Sequence, residues 1–148
     1  MTASVLDAAT RGFLARQRVA RLATADRAGH PHAVPLCYAL APHDALYFVV
    51  DQKPKRATGV AVKRMRNIAE NPAVAVVVDE YDEDWTQLAY VLVQGTATIV
   101  TDDAERADAL ALLRAKYSQY ATMDLDGAAH PVVRITIDRA HHWTARPA

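Results

Sequence analysis

The chain has 148 residues, of which 51% are hydrophobic and 23% are charged, close to globular averages, so a disordered or coiled-coil protein is excluded. Its 17 basic and 17 acidic residues balance, so the overall charge does not indicate a nucleic-acid or anionic-membrane partner. The single cysteine, Cys37, excludes an intrachain disulfide framework, and no apolar run reaches the roughly 18 residues of a membrane helix. We therefore expect one soluble, cytoplasmic domain over residues 1–148.

The first half of the chain predicts a helix followed by three strands. Apolar residues recur every three or four positions over residues 4–17, which is typical of an amphipathic helix lying over a larger body. Residues 19–24 favour a strand, residues 26–31 have turn composition, and residues 33–40 alternate as a return strand. Residues 46–50 are uniformly apolar, so both sides of this third strand should be covered.

A second helix and a fourth strand follow. Residues 60–70 predict a helix that Asn71-Pro72 ends. Its apolar side is expected to carry Ala61, Met65, Ile68 and Ala69. Lys63, Arg66 and Asn67 are expected to face elsewhere. Residues 73–78 are continuously apolar and predict the strand.

The last third of the chain predicts a long strand, a helix and a closing strand. Residues 88–100 favour a strand in which Gly95 marks a bulge or bend. Asp102, with Glu105 three residues later, resembles a capping box that opens a helix. Residues 132–137 predict the sixth strand. Six strands without regular alternation with helices indicate a mainly β fold: an antiparallel barrel flanked by about three helices.

A concentrated run of basic residues follows the third strand. Thr58-Gly59 is placed to cap the next helix and leave N–H groups free at its positive end. This combination favours a phosphate or carboxylate, so we expect the tail of an anionic cofactor here. The alternative is a solvated helix face whose charges pair with acidic residues 79–84. The run contains six basic side chains and no acid: Lys53, Lys55, Arg56, Lys63, Arg64 and Arg66.

The return strand carries small residues on one face. Pro35 cannot donate a ladder hydrogen bond, so it predicts an edge strand or a bulge. Together with Ala33 and Cys37 it would form a flat shelf on which a planar ring can lie. The alternative is a plain edge strand under a helix.

Other chemistry is weakly indicated. The histidine pairs at 30/32 and 141/142 lack the ordered spacing of metal ligands, so no metal site is predicted. Nothing beside Cys37 indicates an activated thiolate, so we expect ordinary burial of that side chain. The five glycines form no nucleotide-binding motif. No catalytic residue is assigned.

Several segments occur in an order that resembles a known family. They comprise Arg66–Asp79 with its Asn-Pro stop and apolar strand, the acidic loop Glu80–Trp85, Gly29–His32, Val34-Pro35 and Gln94–Ala97. This order resembles the pyridoxamine 5'-phosphate oxidase class of split β-barrels over most of the chain. Lys53–Arg56 also resembles a narrower branch described as probable F420-dependent oxidoreductases.

The resemblance implies an FMN-binding type of split barrel and a homodimer with cofactor sites at the interface. No nucleic-acid or membrane partner is predicted, because the charge is balanced and the aromatic residues near the basic run have the pattern of core residues. It implies that a flavin-like ring lies against the second and third strands. By position, the ring would contact Pro35, Leu36 and Cys37 and the backbone of Val49 and Val50. The phosphate-bearing tail would be held by Lys53, Lys55, Lys63, Arg64 and Asn67.

The leading hypothesis is an oxidoreductase that uses the deazaflavin coenzyme F420 to transfer a hydride to a small electron-poor organic acceptor. One alternative is an FMN-binding oxidase or reductase of the same fold. Another is a non-catalytic carrier of a deazaflavin, a flavin or a similar anionic planar ligand. Leu88–Leu92 departs from the narrower branch, in which aromatic residues and an arginine are usual, so the substrate is not predicted.

Overall fold

The computed structural model describes residues 4–51 and 60–146, and seven strands in them form one antiparallel sheet. No helix in these residues is long and apolar enough to cross a bilayer. The mainly β fold with three flanking helices is confirmed. The helices are α1 (Ala8–Arg16), α2 (Val60–Glu70) and α3 (Asp103–Lys116). The strands are β1 (Ala20–Ala25), β2 (Pro31–Leu36), β3 (Ala39–Ala41), β4 (Ala45–Val49), β5 (Ala73–Glu80), β6 (Ala89–Ile99) and β7 (Val132–Thr144).

The strand order makes the sheet curl into a split barrel. The order is β2-β1-β5-β6-β7-β4-β3, so β2 and β3 are the two edges of the sheet. Only Cys37 and Tyr38 separate these two strands in the chain. The three Cα–Cα steps from Leu36 to Ala39 span at most about 11 Å, so the joined ends of these edge strands must lie close together. We call the region around this link the seam. It consists of Leu36, Cys37 and Tyr38, together with Val49, which stands opposite Cys37 when the β3–β4 register is continued.

The return strand predicted over residues 33–40 is two strands, which raises the count from six to seven. β2 pairs with β1, whereas β3 pairs with β4. At the break, the backbone N–H of Tyr38 donates to the hydroxyl of Tyr117 at 3.2 Å, so it has no strand partner. A distant side chain therefore replaces the ladder at this point, which no local pattern announces.

Strand β4 has both faces covered, as predicted. Leu46 and Phe48 lie in the core inside the barrel. Tyr47 and Val49 lie in a second core beneath α3. Because its side chains are packed on both sides, β4 is a fixed support for the residues that follow it.

The ends of the helices follow their capping residues. α1 begins at Ala8 and not at residue 4, because the side chain of Asp7 accepts a hydrogen bond from the Thr10 N–H at 2.8 Å. Asp102 caps α3 as predicted, accepting from the Glu105 N–H at 2.8 Å.

The Glu105 side chain does not complete a capping box. It accepts from the Tyr47 hydroxyl at 2.6 Å and from Arg134 Nη1 at 2.7 Å. Burial, followed by the contact with Glu105, raises the pKa of Tyr47 to about 12. The glutamate therefore ties α3 to β4 and β7.

Gly95 lies at the bulge that the sequence predicts in the long strand. The pairing of β6 with β7 shifts register between Gln94 and Gly95. A Cβ atom at position 95 would overlap the backbone carbonyl oxygen of Thr136. A side chain is therefore excluded by the neighbouring backbone, which cannot rotate away.

Gly95→Ala should lower the free energy of unfolding by about 1 to 3 kcal/mol, because it overpacks a rigid contact. Urea unfolding of the two proteins measures this difference. Gly12→Ala is the matched control: its Cβ would have only the tip of Arg16 as a neighbour, at 3.4 Å, so helix propensity should raise stability by up to about 1 kcal/mol. Equal stability of Gly95→Ala and the parent protein would contradict the close approach.

Candidate functional site

The predicted ring residues Cys37 and Val49 lie on opposite sides of the seam. β3 pairs Ala39 with Tyr47, and continuing that register places Cys37 opposite Val49, although the ladder has ended. Val49 is buried, and Cys37 packs against the same core. Leu36 is half-buried against the core of the barrel. The fold therefore brings three of the predicted ring residues to one opening.

Polar side chains from the end of α3 and the end of β4 meet beside the seam. The Tyr120 hydroxyl donates to Asp51 Oδ2 at 2.7 Å. Burial raises the pKa of Tyr120, and the bond to Asp51 adds to this effect. The Tyr117 hydroxyl donates to the backbone carbonyl of Arg18 at 2.9 Å. The thiol of Cys37 lies beside both phenols.

Arg64, predicted to hold the cofactor tail, points inward from α2. Its residue is 8% exposed, and its guanidinium carbon lies 5.4 Å from the centroid of the Phe48 ring. Burial lowers the pKa of Arg64, and the nearby carboxylate of Asp51 opposes this shift. Asp51 thus connects Arg64 with Tyr120, and so connects the predicted tail site with the seam.

Lys63, also predicted to hold the tail, lies on the open side of α2. Its side chain is 37% exposed, and Nζ is 3.6 Å from Asp26 Oδ2. Asp26 accepts two hydrogen bonds from His30, through the backbone N–H and Nδ1, each at 2.9 Å. These bonds, with a smaller contribution from Lys63, lower the pKa of Asp26 to about 2. Asp26 therefore stays negative near neutral pH and holds Lys63 next to the β1–β2 turn.

Asn67 lies on the buried side of α2, so the expectation that it faces away from the apolar side is wrong. It is 0% exposed, and its Nδ2 donates to Thr24 Oγ1 at 3.0 Å. Ala69, assigned to the apolar side, is exposed. The buried hydroxyl on β1 supplies the partner that makes burial of an amide favourable, and only the tertiary fold provides it.

The acidic residues 79–84, at the end of β5 and just after it, form no ion pair with α2 in the part of the chain that the structure describes. Asp79 pairs with Arg21 at 2.5 Å, and Glu80 pairs with Arg146 at 2.6 Å. Lys63 of α2 is paired with Asp26 instead, and the carboxylate near Arg64 is that of Asp51. The alternative in which residues 79–84 absorb the charge of the basic run therefore has no support among these contacts.

Two buried side chains of α2 and one of β2 have polar atoms without hydrogen-bond partners within residues 4–51 and 63–146. These atoms are Arg64 Nε, Asn67 Oδ1 and His32 Nδ1. His32 stands opposite Thr24 in the β1–β2 register, on the same face as the hydroxyl that Asn67 binds. We call the region of Thr24, His32, Arg64 and Asn67 the α2 corner.

An unpaired buried polar group costs about 1 to 3 kcal/mol, and such groups usually bind water or a ligand. The α2 corner has the Arg64 N–H as a donor and the Asn67 carbonyl as an acceptor, with the ammonium group of Lys63 one residue before Arg64. This donor set fits the phosphate and polar groups of a flavin-type cofactor.

The remaining predicted residues are placed differently. Pro35 is exposed on β2, which confirms the predicted edge strand. The N–H of Val50 donates to the Pro131 carbonyl at 2.9 Å, and its carbonyl accepts from His130 Nδ1 at 2.8 Å. The backbone of Val50 is therefore engaged within the chain, away from the predicted ring contact. Lys53 and Lys55, together with Arg56 and the predicted cap Thr58-Gly59, lie outside the described residues.

On the outer face of the sheet, away from the barrel core, β1, β5 and β7 carry exposed side chains in the described residues. Val77 of β5 is 37% exposed, whereas Val76 and Val78 beside it are buried. Leu92 and His141 continue the row of Val77 across β6 and β7. A neighbouring depression of about 500 Å³ is lined largely by small residues of β1 and β5.

The largest of the described cavities, about 860 Å³, lies away from the predicted site, between α3 and the β3–β4 turn. The Tyr47 hydroxyl there is hydrogen-bonded to His43 at 3.0 Å and to Glu105, and Glu105 is paired with Arg134. The polar groups on the floor of this cavity already have partners. We therefore take the seam and the α2 corner, where polar groups lack partners, as the candidate site.

Four further residues near the seam were not predicted as site residues: Asp51, Lys116, Tyr117 and Tyr120. Asp51 is the first polar residue after an apolar strand, which is a usable signal. The other three lie at the end of α3 or just after it. The hydrogen bond that fixes this end, from the Tyr38 N–H to the Tyr117 hydroxyl, joins residues that are 79 positions apart in the chain. No sequence pattern indicates that approach.

Similar proteins share this fold. A conserved hypothetical protein from Mycobacterium tuberculosis has a TM-score of 0.75 at 20% identity, over 99% of this chain and 90% of that chain. A FAD-binding protein from Mesorhizobium loti has a TM-score of 0.68 at 27% identity, over 93% and 94%. The heme storage protein HutZ from Vibrio cholerae has a TM-score of 0.68 at 13% identity, over 96% and 95%. Among curated protein sequences, no match to this chain is found.

The family is shown by the sequence as well as by the fold. The family model described as pyridoxamine 5'-phosphate oxidase matches residues 6–144, which includes every strand of the sheet. The match agrees with the split barrel and with the sequence resemblance. The chain therefore belongs to the pyridoxamine 5'-phosphate oxidase family of split β-barrels.

Proposed function

We propose that this protein is an oxidoreductase that binds a tricyclic, phosphate-bearing cofactor of the flavin or deazaflavin type across the seam and the α2 corner. The observation that carries the proposal is the set of buried polar atoms at the α2 corner without partners in the described residues. Two of them, Arg64 Nε and Asn67 Oδ1, lie on the helix that the family resemblance assigns to the cofactor tail.

The residues have distinct roles in this proposal. Arg64 and Lys63 hold the negative tail, and Cys37 and Val49 border the ring at the seam. A bound ring would supply the hydride, whereas the protein binds and orients it and excludes water. Coenzyme F420 is the cofactor implied by the narrower resemblance. The second candidate is a flavin, FMN. The 27% identical protein from Mesorhizobium loti is described as binding a flavin, FAD, which supports a flavin as the alternative to F420.

A side-by-side titration tests the cofactor. Purified protein is titrated with F420 and with FMN, following fluorescence for each. We expect one cofactor to bind at least tenfold more tightly than the other, with F420 as the tighter ligand. Tighter binding of FMN would transfer the proposal to the flavin. Absence of binding by either would overturn it, and tight binding without turnover on a panel of enones, imines and nitro compounds would indicate a carrier.

Replacing Lys63 and Arg64 together by Ala should weaken cofactor binding by about 2 to 4 kcal/mol, because each charged hydrogen bond contributes about 1.5 to 3 kcal/mol and an exposed one less. The dissociation constant should also rise with added salt in the parent protein. Arg66→Ala, on the same helix and exposed, is the matched control. An unchanged dissociation constant in the double variant would remove the tail-binding role from both residues.

We further propose that the outer face of the sheet is the interface of a homodimer. Exposed Val77 and half-buried Leu92 are paired on this face and form its apolar part, with Arg21 and His141 on either side. Small residues on β1 and β5 keep the face flat enough for a second sheet to approach. Pro35, a predicted ring contact, lies on this face next to Arg21, so the partner would complete the ring site. The cytoplasmic location stays a prediction from the sequence.

Val77→Asp should shift the protein from dimer to monomer, because it places a charge in the centre of the proposed interface. Sedimentation velocity measures the change. Ile99→Asp is the matched control. The exposed fraction of Ile99, 40%, is close to the 37% of Val77, but Ile99 is paired with inward-facing Val133 and so lies on the other face of the sheet. A parent protein that sediments as a monomer would contradict the dimer, as would a dimer that survives Val77→Asp.

A further inference from the structure

Lys116, the last residue of α3, places a buried amine beside the seam. Its Nζ lies 3.8 Å from the centroid of the Tyr38 ring and 5.5 Å from that of Tyr117. The atom is buried and has no hydrogen-bond acceptor among the described residues. A cation over an aromatic face is attracted to it, but the ring does not accept the three hydrogen bonds that an ammonium group can donate.

The groups around Lys116 do not neutralise it. Arg18, from the segment before β1, donates to the Lys116 carbonyl at 2.8 Å and adds a second positive charge. Cys37 and Tyr38 face it from the seam, and Tyr117 follows it in the chain. Burial, followed by repulsion from Arg18, lowers the pKa of Lys116 to about 8, with Cys37 opposing the shift. The amine therefore binds its proton weakly near neutral pH.

This placement suits proton transfer. Lys116 neighbours Cys37, which is predicted to border the ring. A proton donor is most effective when its pKa lies near the working pH. Its N–H groups have no acceptor among the described residues, so they are free to donate to the oxygen of a bound substrate. Neither Tyr117 nor Tyr120 has this property, because burial raises the pKa of each phenol and each already donates its proton to an oxygen.

Building on the proposed function, we propose that Lys116 Nζ is the proton donor of the reaction and that the acceptor is a conjugated carbonyl compound whose oxygen binds this amine. A bound reduced cofactor would supply the hydride for the β-carbon of the acceptor. The electron pair of the C=C bond then moves toward the carbonyl oxygen, which takes the proton as the Lys116 N–H bond breaks. The acceptor gains two electrons and the cofactor loses two. The resulting enol becomes the ketone, and neutral Lys116 regains a proton from water.

Anaerobic stopped-flow with cyclohexenone tests the proposal. The protein loaded with reduced cofactor is mixed with the enone, and cofactor reoxidation is followed from pH 6 to pH 10. We expect the parent rate to fall above about pH 8, as Lys116 loses its proton. Lys116→Met should lower the rate at pH 7 by about 100-fold, with the dissociation constant of the cofactor within twofold of the parent value. Lys116→Arg keeps the charge but not a proton that can be transferred near neutral pH, so it should be similarly slow.

Thermal unfolding of the cofactor-free proteins supplies a second readout. The pKa of Lys116 is lower in the folded than in the unfolded chain, so parent stability should rise as the pH increases from about 8 toward the ordinary lysine value of 10.5. Lys116→Met should lack this rise and should have a higher Tm at pH 7, which also shows that it folds.

The outcomes separate this inference from the proposed function. A Lys116→Met rate within threefold of the parent value, with the same pH profile, would overturn the role of Lys116 alone. A loaded parent protein that cyclohexenone does not reoxidise would overturn the acceptor class and the proton transfer. Absence of cofactor binding in the parent protein, seen in the titration, would overturn the proposed function together with this inference.

Discussion

The two-residue link between β2 and β3 is the constraint on which the rest of the structure depends. Cys37 and Tyr38 join strands that lie at opposite edges of a seven-stranded sheet. A flat sheet would place those edges too far apart for two residues, so the sheet curls and leaves the seam. Tyr38 holds the break on both sides, since its N–H binds the Tyr117 hydroxyl and its own hydroxyl donates to the Leu14 carbonyl at 2.5 Å. The candidate site is organised around this break.

The distribution of satisfied and unsatisfied polar groups distinguishes support from function. Around α3, Tyr47, Glu105 and Arg134 bind one another and fix the helix to the sheet. At the α2 corner and beside the seam, Arg64 and Lys116 are buried or half-buried with donor atoms that no described residue accepts. Unpaired groups of this kind destabilise a fold. These groups, which lie over the rings of Phe48 and Tyr38, are the physical reason for proposing ligand binding here.

Strand β4 connects the core with the candidate site. Its alternate side chains enter the barrel core and the core beneath α3, and Asp51 follows it to meet Tyr120 and Arg64. Movement of this strand would disturb both cores. The residues between the predicted ring and tail sites are therefore held by packing, which favours a preorganised site over one that forms on binding.

Local patterns in the sequence determined the mainly β class, the double burial of β4, the edge position of Pro35 and the bulge at Gly95. These features depend on the apolar pattern of a strand, on the ring of Pro35 and on the missing side chain of Gly95. Each acts within a few residues of the chain, so the local sequence predicts its effect. The family resemblance added the candidate ring and tail residues. Only the tertiary structure decided the break at Tyr38, the burial of Asn67 and the position of Lys116. These depend on partners such as Tyr117, Thr24 and the ring of Tyr38, which are 79, 43 and 78 residues away in the chain. The free energy of such contacts depends on the three-dimensional packing, and no local pattern encodes it.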